Sequence, residues 1–82
     1  MSENNHDIFL DKIVEKVKIE RNNRKISQLK LANLLGFSSP NYIAKIETRK
    51  HDVSYNLIHL YKIAEAFEME VSDFIPDKKE YS

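Results

Sequence analysis

The chain has 82 residues, 41% hydrophobic and 32% charged, with no cysteine and a single glycine, so it forms one small domain that no disulfide staples. A chain this short buries only about 60% of the surface its unfolded form exposes, so its core has to be compact and locally built. No apolar run reaches the length of a membrane span, and the polar, acidic stretch Met1–Asp7 has no apolar signal-peptide centre. A cytoplasmic location is therefore expected.

The formal net charge of zero conceals an asymmetry. Residues 12–50 carry ten Lys and Arg (Lys12, Lys16, Lys18, Arg21, Arg24, Lys25, Lys30, Lys45, Arg49 and Lys50) against three acids, a net +7. The flanks are acidic, −3 over residues 1–11 and −4 over residues 51–82. A basic centre between acidic ends is the electrostatic pattern of a phosphate-binding face. A solvated charged surface accounts for it equally well.

Residues 1–6 read as a disordered lead, 7–76 as the folded domain and 77–82 as a polar tail. With one glycine, two prolines and no alternating strand pattern, the domain is expected to be all-α. The first helix is predicted over about Ile8–Asn23, with Phe9, Ile13 and Val17 in one apolar stripe and Leu10 and Val14 beside it. A second follows Ser27, whose hydroxyl caps Gln28–Leu35. Gly36 stands where a helix needs a left-handed residue to end. The third helix opens after Ser38-Ser39 with Pro40 at its first position, where a missing N–H costs nothing. It runs to Glu47 or Thr48, burying Ile43 and Ile46 and exposing Asn41, Tyr42, Ala44 and Lys45. A loop over Arg49–Val53 leads to a fourth helix capped by Ser54 or Asn56, with Leu57, Leu60, Tyr61, Ala64 and Phe67 facing inward. A last short turn opens at Ser72 and is stopped by Pro76. Five helices with short connections describe a compact orthogonal bundle.

The stretch from Ser27 to Glu47 is the informative one. It holds two short helices around the only glycine. Ala32, four residues before Gly36, sits where two steeply crossing helices leave no space for a large side chain. This spacing fits a helix-turn-helix, whose second helix lies in the major groove.

Several separated motifs extend the match. They are Glu20-Arg21-Asn22-Asn23-Arg24-Lys25-Ile26-Ser27-Gln28, Leu31-Ala32 with Leu35-Gly36, Tyr42-Ile43-Ala44-Lys45-Ile46-Glu47, Lys62-Ile63-Ala64-Glu65-Ala66-Phe67, and Val71-Ser72-Asp73-Phe74. On these, residues 17–75 resemble the phage-repressor and Cro-like (XRE-type) helix-turn-helix family. The resemblance implies a five-helix lambda-repressor-like DNA-binding bundle, with its reading unit over 27–48. There are three departures from the family pattern. The stretch Gly36–Glu47 is one residue longer than in the commonest pattern, the loop Lys50–Tyr55 is about two residues longer, and Arg49 stands where many members have glycine.

The resemblance also implies residue roles. Gln28 touches a phosphate through its amide, and Arg21 with Glu47 ties the first helix to the end of the third. On the third helix, Asn41 can donate and accept at once, which suits the N6/N7 edge of adenine, and Lys45 can reach guanine O6/N7 or a phosphate. Ser39 and Tyr42 are groove or backbone neighbours, and Pro40 offers apolar contact. Thr48, Arg49 and Lys50 meet the sugar-phosphate backbone, with Arg24 and Lys25 as further candidates. Family members commonly pair so that two reading helices enter successive grooves about 34 Å apart. Met69, Val71, Phe74 and Ile75, with Ile58 or Ile63, are candidates for that interface, or for ordinary core.

His6, His51 and His59 form no ligand pair, no catalytic grouping is visible, and neither metal nor cofactor is expected. The expected function is a homodimeric DNA-binding repressor acting on double-stranded DNA. The alternative is an antitoxin, or another protein-interaction module, on the same fold.

Overall fold

The computed structural model describes residues 5–49 and 53–81. Those residues form four α-helices, α1 (Asn5–Asn23), α2 (Gln28–Leu34), α3 (Asn41–Thr48) and α4 (Leu57–Phe67), followed by 3₁₀ turns Val71–Phe74 and Lys78–Glu80. No strand occurs among them. The expected fifth helix is thus the first of the two 3₁₀ turns. α2 packs on α3 and α4, α1 lies across α3, and the turn Val71–Phe74 closes against α1 and α4. The seven side chains Val14, Val17, Leu31, Ile43, Ile46, Ile63 and Phe74, drawn from all five of these elements, make the centre of the core. None of the helices is long and apolar enough to cross a membrane.

α1 starts earlier than its apolar stripe suggests. Asn5 and His6 are helical, so of the expected disordered lead only residues 1–4 lie outside the described residues. Ile13, Val14 and Val17 face inward and Phe9 packs at the margin. Residues 77–81 of the polar tail fold back toward α1. Glu80 Oε2 accepts from the Asp77 backbone N–H at 2.8 Å, which closes the turn Lys78–Glu80. Tyr81 then meets the ring of Phe9 edge-on at 5.1 Å. The physical reason is the half-covered Phe9, which offers apolar area that a tail with an aromatic residue can bury.

Helix ends use the side chains anticipated for them. Ser27 Oγ accepts from Lys30 N at 3.0 Å, and Asn56 Oδ1 accepts from His59 N at 2.7 Å. Gly36 has φ +92, and the following Phe37 N–H reaches back to the Ala32 carbonyl at 2.9 Å, a Schellman-type closure. Three other left-handed positions are occupied by side-chain-bearing residues, Lys25 (φ 57), Arg49 (φ 54) and Glu68 (φ 57), at or near the ends of α1, α3 and α4. Arg49 therefore adopts the conformation that makes glycine frequent at this point of the family pattern.

Two packing expectations need correction. α4 buries Leu60, Ile63, Ala64 and Phe67, whereas Leu57 and Tyr61, placed inward from the sequence, are exposed. The helix carries two overlapping apolar rows, and only the i, i+3, i+4, i+7 row from Leu60 faces the core. Phe74, a candidate for a subunit interface, is 1% exposed and belongs wholly to the core, as does Ile63. Met69, Val71 and Ile75 are half-buried against that core.

Candidate nucleic-acid interface

α2, the turn through Gly36 and α3 stand together as a two-helix unit. Ile43 and Ile46 are fully buried and fix α3 on the core, which leaves Asn41 and Lys45 exposed on its outer side. These two are four residues apart, one above the other on the same face, so both can enter one groove. At the start of α3, Ser39 Oγ accepts from the Asn41 backbone N–H at 3.3 Å, and the Pro40 carbonyl takes the first helical bond, from Ala44 N at 2.9 Å. Pro40 is thus the N-cap, with φ −79 and no side-chain cap bond, one residue ahead of the first helical position expected for it, and Ser39 receives the first helical N–H.

Tyr42 is half-buried rather than exposed. Its ring lies 4.6 Å from Phe37 and 5.8 Å from His59, and Phe37 and His59 meet edge-on at 5.8 Å. This aromatic triangle joins the turn, the reading helix and α4. His59 Nδ1 is buried there and has no hydrogen-bond partner among the described residues. Burial, and secondarily the charge of Lys62, hold the imidazole pKa below its ordinary value.

The far end of α3 is fixed by charge. Arg21 Nε donates to Glu47 Oε2 at 2.9 Å, and its NH2 donates to Oε1 at 3.0 Å. Its NH1 donates to the Ile26 carbonyl at 2.6 Å. The two side chains are only 9% and 4% exposed, so this bidentate pair is taken out of water. Gln28 Nε2 donates to Glu47 Oε1 at 2.9 Å, so one of its two amide hydrogens is committed inside the protein. Tyr55 is buried beside this network with no hydrogen-bond partner for its hydroxyl among the described residues. Burial first, then the negative charge of Glu47, push its pKa well above the usual phenol value.

Two of the anticipated cationic phosphate ligands, Arg24 and Arg49, are engaged by acids within the protein. Arg24 donates through NH1 to Glu20 Oε1 at 2.6 Å and through NH2 to the Phe67 carbonyl at 2.8 Å, and lies over the Phe67 ring at 4.7 Å. The Glu20 carboxyl is held below its usual range by Arg24 and then Lys16. Arg49 Nε donates to Asp11 Oδ1 at 2.6 Å, and its NH1 donates to the Val53 carbonyl. Thr48 is exposed, with its hydroxyl on the Lys45 carbonyl at 2.8 Å. Lys50 lies outside the described residues. The basic centre is accordingly smaller than the sequence suggests. Lys16, Arg21, Arg24 and Arg49 are all paired with acids. Among the described residues, Lys25, Lys30 and Lys45 border the two-helix unit without an ion pair.

Sequence reasoning missed Asp11, Tyr55 and His59 as neighbours of this unit. Asp11 and Arg49 are 38 residues apart, with no local pattern to connect them. Phe37 and Tyr42 carried a usable signal, since two aromatic residues five apart across a tight turn are well placed to meet.

The arrangement defines a helix-turn-helix whose second helix is held at both ends and open along its outer face. A family model described as helix-turn-helix matches residues 17–74, and no curated protein matches the chain. The chain belongs to the XRE-type helix-turn-helix family of DNA-binding regulators.

Proposed function

We propose that this chain is a homodimeric, sequence-specific transcriptional repressor of the cytoplasm that reads the major groove of double-stranded DNA with α3. The observation that carries the reading is the contrast along α3, where Ile43 and Ile46 are fully buried while Asn41 and Lys45 are exposed beside them. Asn41 is assigned to an adenine edge and Lys45 to guanine or a phosphate, with Ser39, Pro40 and the free edge of Tyr42 as flanking contacts. Gln28, through its second amide hydrogen, and Thr48 are assigned to phosphates, together with Lys25 and Lys30. Arg24 and Arg49 reach DNA only by leaving their internal partners. An antitoxin role would draw on exposed apolar surface at the C-terminal turn, and that turn packs against the core through Phe74.

The test is selection of bound sites from random duplex DNA, followed by a salt series on the selected site. Three unpaired lysines per domain, each displacing counterions with a slope of about −0.9, give about −2.7 per domain and about −5 for a dimer in log affinity against log salt. A palindromic consensus with a slope of that order is the expected result. No enrichment together with a flat salt dependence overturns the reading.

A further inference from the structure

Three rings meet where α3 begins. The centroids of Phe37, in the preceding turn, and Tyr42, on the first turn of α3, are 4.6 Å apart. His59, on the first turn of α4, meets both edge-on at 5.8 Å, with interplanar angles of 74° and 76°. The far end of α3 is gripped by the Arg21–Glu47 pair, whereas the N-cap Pro40 makes no side-chain cap bond. Ile43 anchors the inner side of the near end, and Tyr42, next in the chain to Asn41, ties it sideways to the turn and to α4.

His59 Nδ1 is enclosed in this cluster with no hydrogen-bond partner among the described residues. A neutral imidazole carries one N–H and one bare nitrogen, and an N–H at Nδ1 would have nothing to donate to. The neutral ring therefore fits with Nδ1 bare. An imidazolium donates from both nitrogens, so the added proton falls on the enclosed one.

We propose that His59 is a positioning residue for DNA reading. Its neutral imidazole holds Tyr42 and the start of α3 in the reading pose, and protonation of Nδ1 turns the ring out to water and releases that end of the helix. This rests on the reading of α3 in the preceding section and adds its control by protons. The neighbours of the ring decide the sign. Tyr42 faces it from α3 with a phenol, Phe37 brings no titratable group from the turn, and Lys62 of α4 adds a positive charge. α2 also packs on α4, and its one charged residue, Lys30, is exposed and of the same sign. Tyr55, just before α4, is buried and has Glu47 as its charged neighbour. No carboxylate pairs with His59 among the described residues. Aromatic faces attract a cation. They do not replace the water that a charged N–H gives up on burial, and Lys62 opposes a second charge. Burial first, and then Lys62, accordingly favour the neutral ring.

The test follows the affinity of the full chain for its selected duplex site from about pH 8 to about pH 5 at constant ionic strength. Wild type, His59→Phe and His59→Gln are compared, with circular dichroism to check that each remains folded. Phenylalanine keeps the ring cluster without a titrating group, and glutamine removes the ring. The ratio of wild-type to His59→Phe affinity cancels His6 and His51, which both proteins carry. That ratio is expected to be flat above the ordinary imidazole pKa of 6.5 and to fall at lower pH by up to about tenfold per unit, one proton's worth. His59→Gln should bind more weakly than His59→Phe already at about pH 8, without that slope. Amide exchange of the free chain supplies a readout that needs no DNA. Protection of the Ala44 N–H, which makes the first bond of α3, should fall with pH more steeply than that of Val17 in α1, in wild type but not in His59→Phe. A flat affinity ratio overturns the proposal, as does parallel loss of protection at Ala44 and Val17, or His59→Gln binding as well as His59→Phe. A chain that binds no DNA at any pH refutes the reading of α3 instead, and the exchange experiment still decides whether His59 positions the helix.

Discussion

Glu47→Gln tests the idea that a buried charge pair positions α3. In the wild type one carboxylate receives three donors, Arg21 Nε at 2.9 Å, Arg21 NH2 at 3.0 Å and Gln28 Nε2 at 2.9 Å. Glutamine keeps the volume but offers one acceptor oxygen, and it turns an amide N–H toward a donor that formerly had a partner. A guanidinium that is 9% exposed is left without its counter-charge. Removing one partner of a buried pair costs about 3–5 kcal/mol, against about 4–12 kcal/mol for the total stability of a domain this size. At about 4–8 °C per kcal/mol the melting temperature falls by at least about 12 °C. Urea unfolding followed by circular dichroism measures the loss directly. Arg21→Met with Glu47→Leu removes both charges together, and should cost less than the sum of the two singles by about 2 kcal/mol. A Glu47→Gln variant that loses under about 1 kcal/mol refutes the reasoning, as does strict additivity in the double variant.

Three further outcomes are expected. Asp11→Ala frees Arg49 for a phosphate, so the salt slope of DNA binding steepens by up to about 0.9 per domain. Stability should change by no more than about 1 kcal/mol, since Asp11 is 41% exposed; an unchanged slope in the salt series would show that Arg49 stays out of reach of DNA. Tyr55→Phe removes a buried hydroxyl without a protein partner and should raise stability by about 1 kcal/mol, whereas a comparable loss in urea unfolding would mean that the hydroxyl is paired. The depressed pKa of His59 makes the unfolded chain the better proton acceptor, so its contribution is intact above the ordinary value of 6.5 and is lost as pH falls from there through the lower folded value. Unfolding measured across that range should show a shallower fall for His59→Gln than for wild type; equal pH profiles would count against the buried imidazole.

Much of this architecture was readable because local chemistry announces local structure. Ser27, Gly36 and Asn56 declared helix ends, and Ile43 with Ile46 declared which side of α3 turns inward. What stayed hidden depended on contacts between distant segments. The ends of α1 and α3 were anticipated, but not that Lys25, Arg49 and Glu68 take left-handed backbone there, a conformation that favours glycine. α4 offered two apolar rows, and only its neighbours decide which one is buried. The charge of Arg24 and Arg49 was visible, but not that Glu20, the Phe67 carbonyl, Asp11 and the Val53 carbonyl had already claimed it.

One feature of α1 bears on how the molecule would tolerate change. Its last turn and the turn just after it carry two arginines three residues apart, of which Arg21 grips the end of α3 and Arg24 grips the final carbonyl of α4. That stretch behaves as a keystone between two helices with different tasks. Inserting a single residue between Val17 and Arg21 would swing both arginines by about 100° and release both helix ends at once. The same insertion near Asn5 would leave the register of Ile13, Val14, Val17 and both arginines unchanged. Laboratory evolution should therefore accept length changes at the start of α1 and reject them at its finish, even though no part of α1 belongs to the two-helix reading unit.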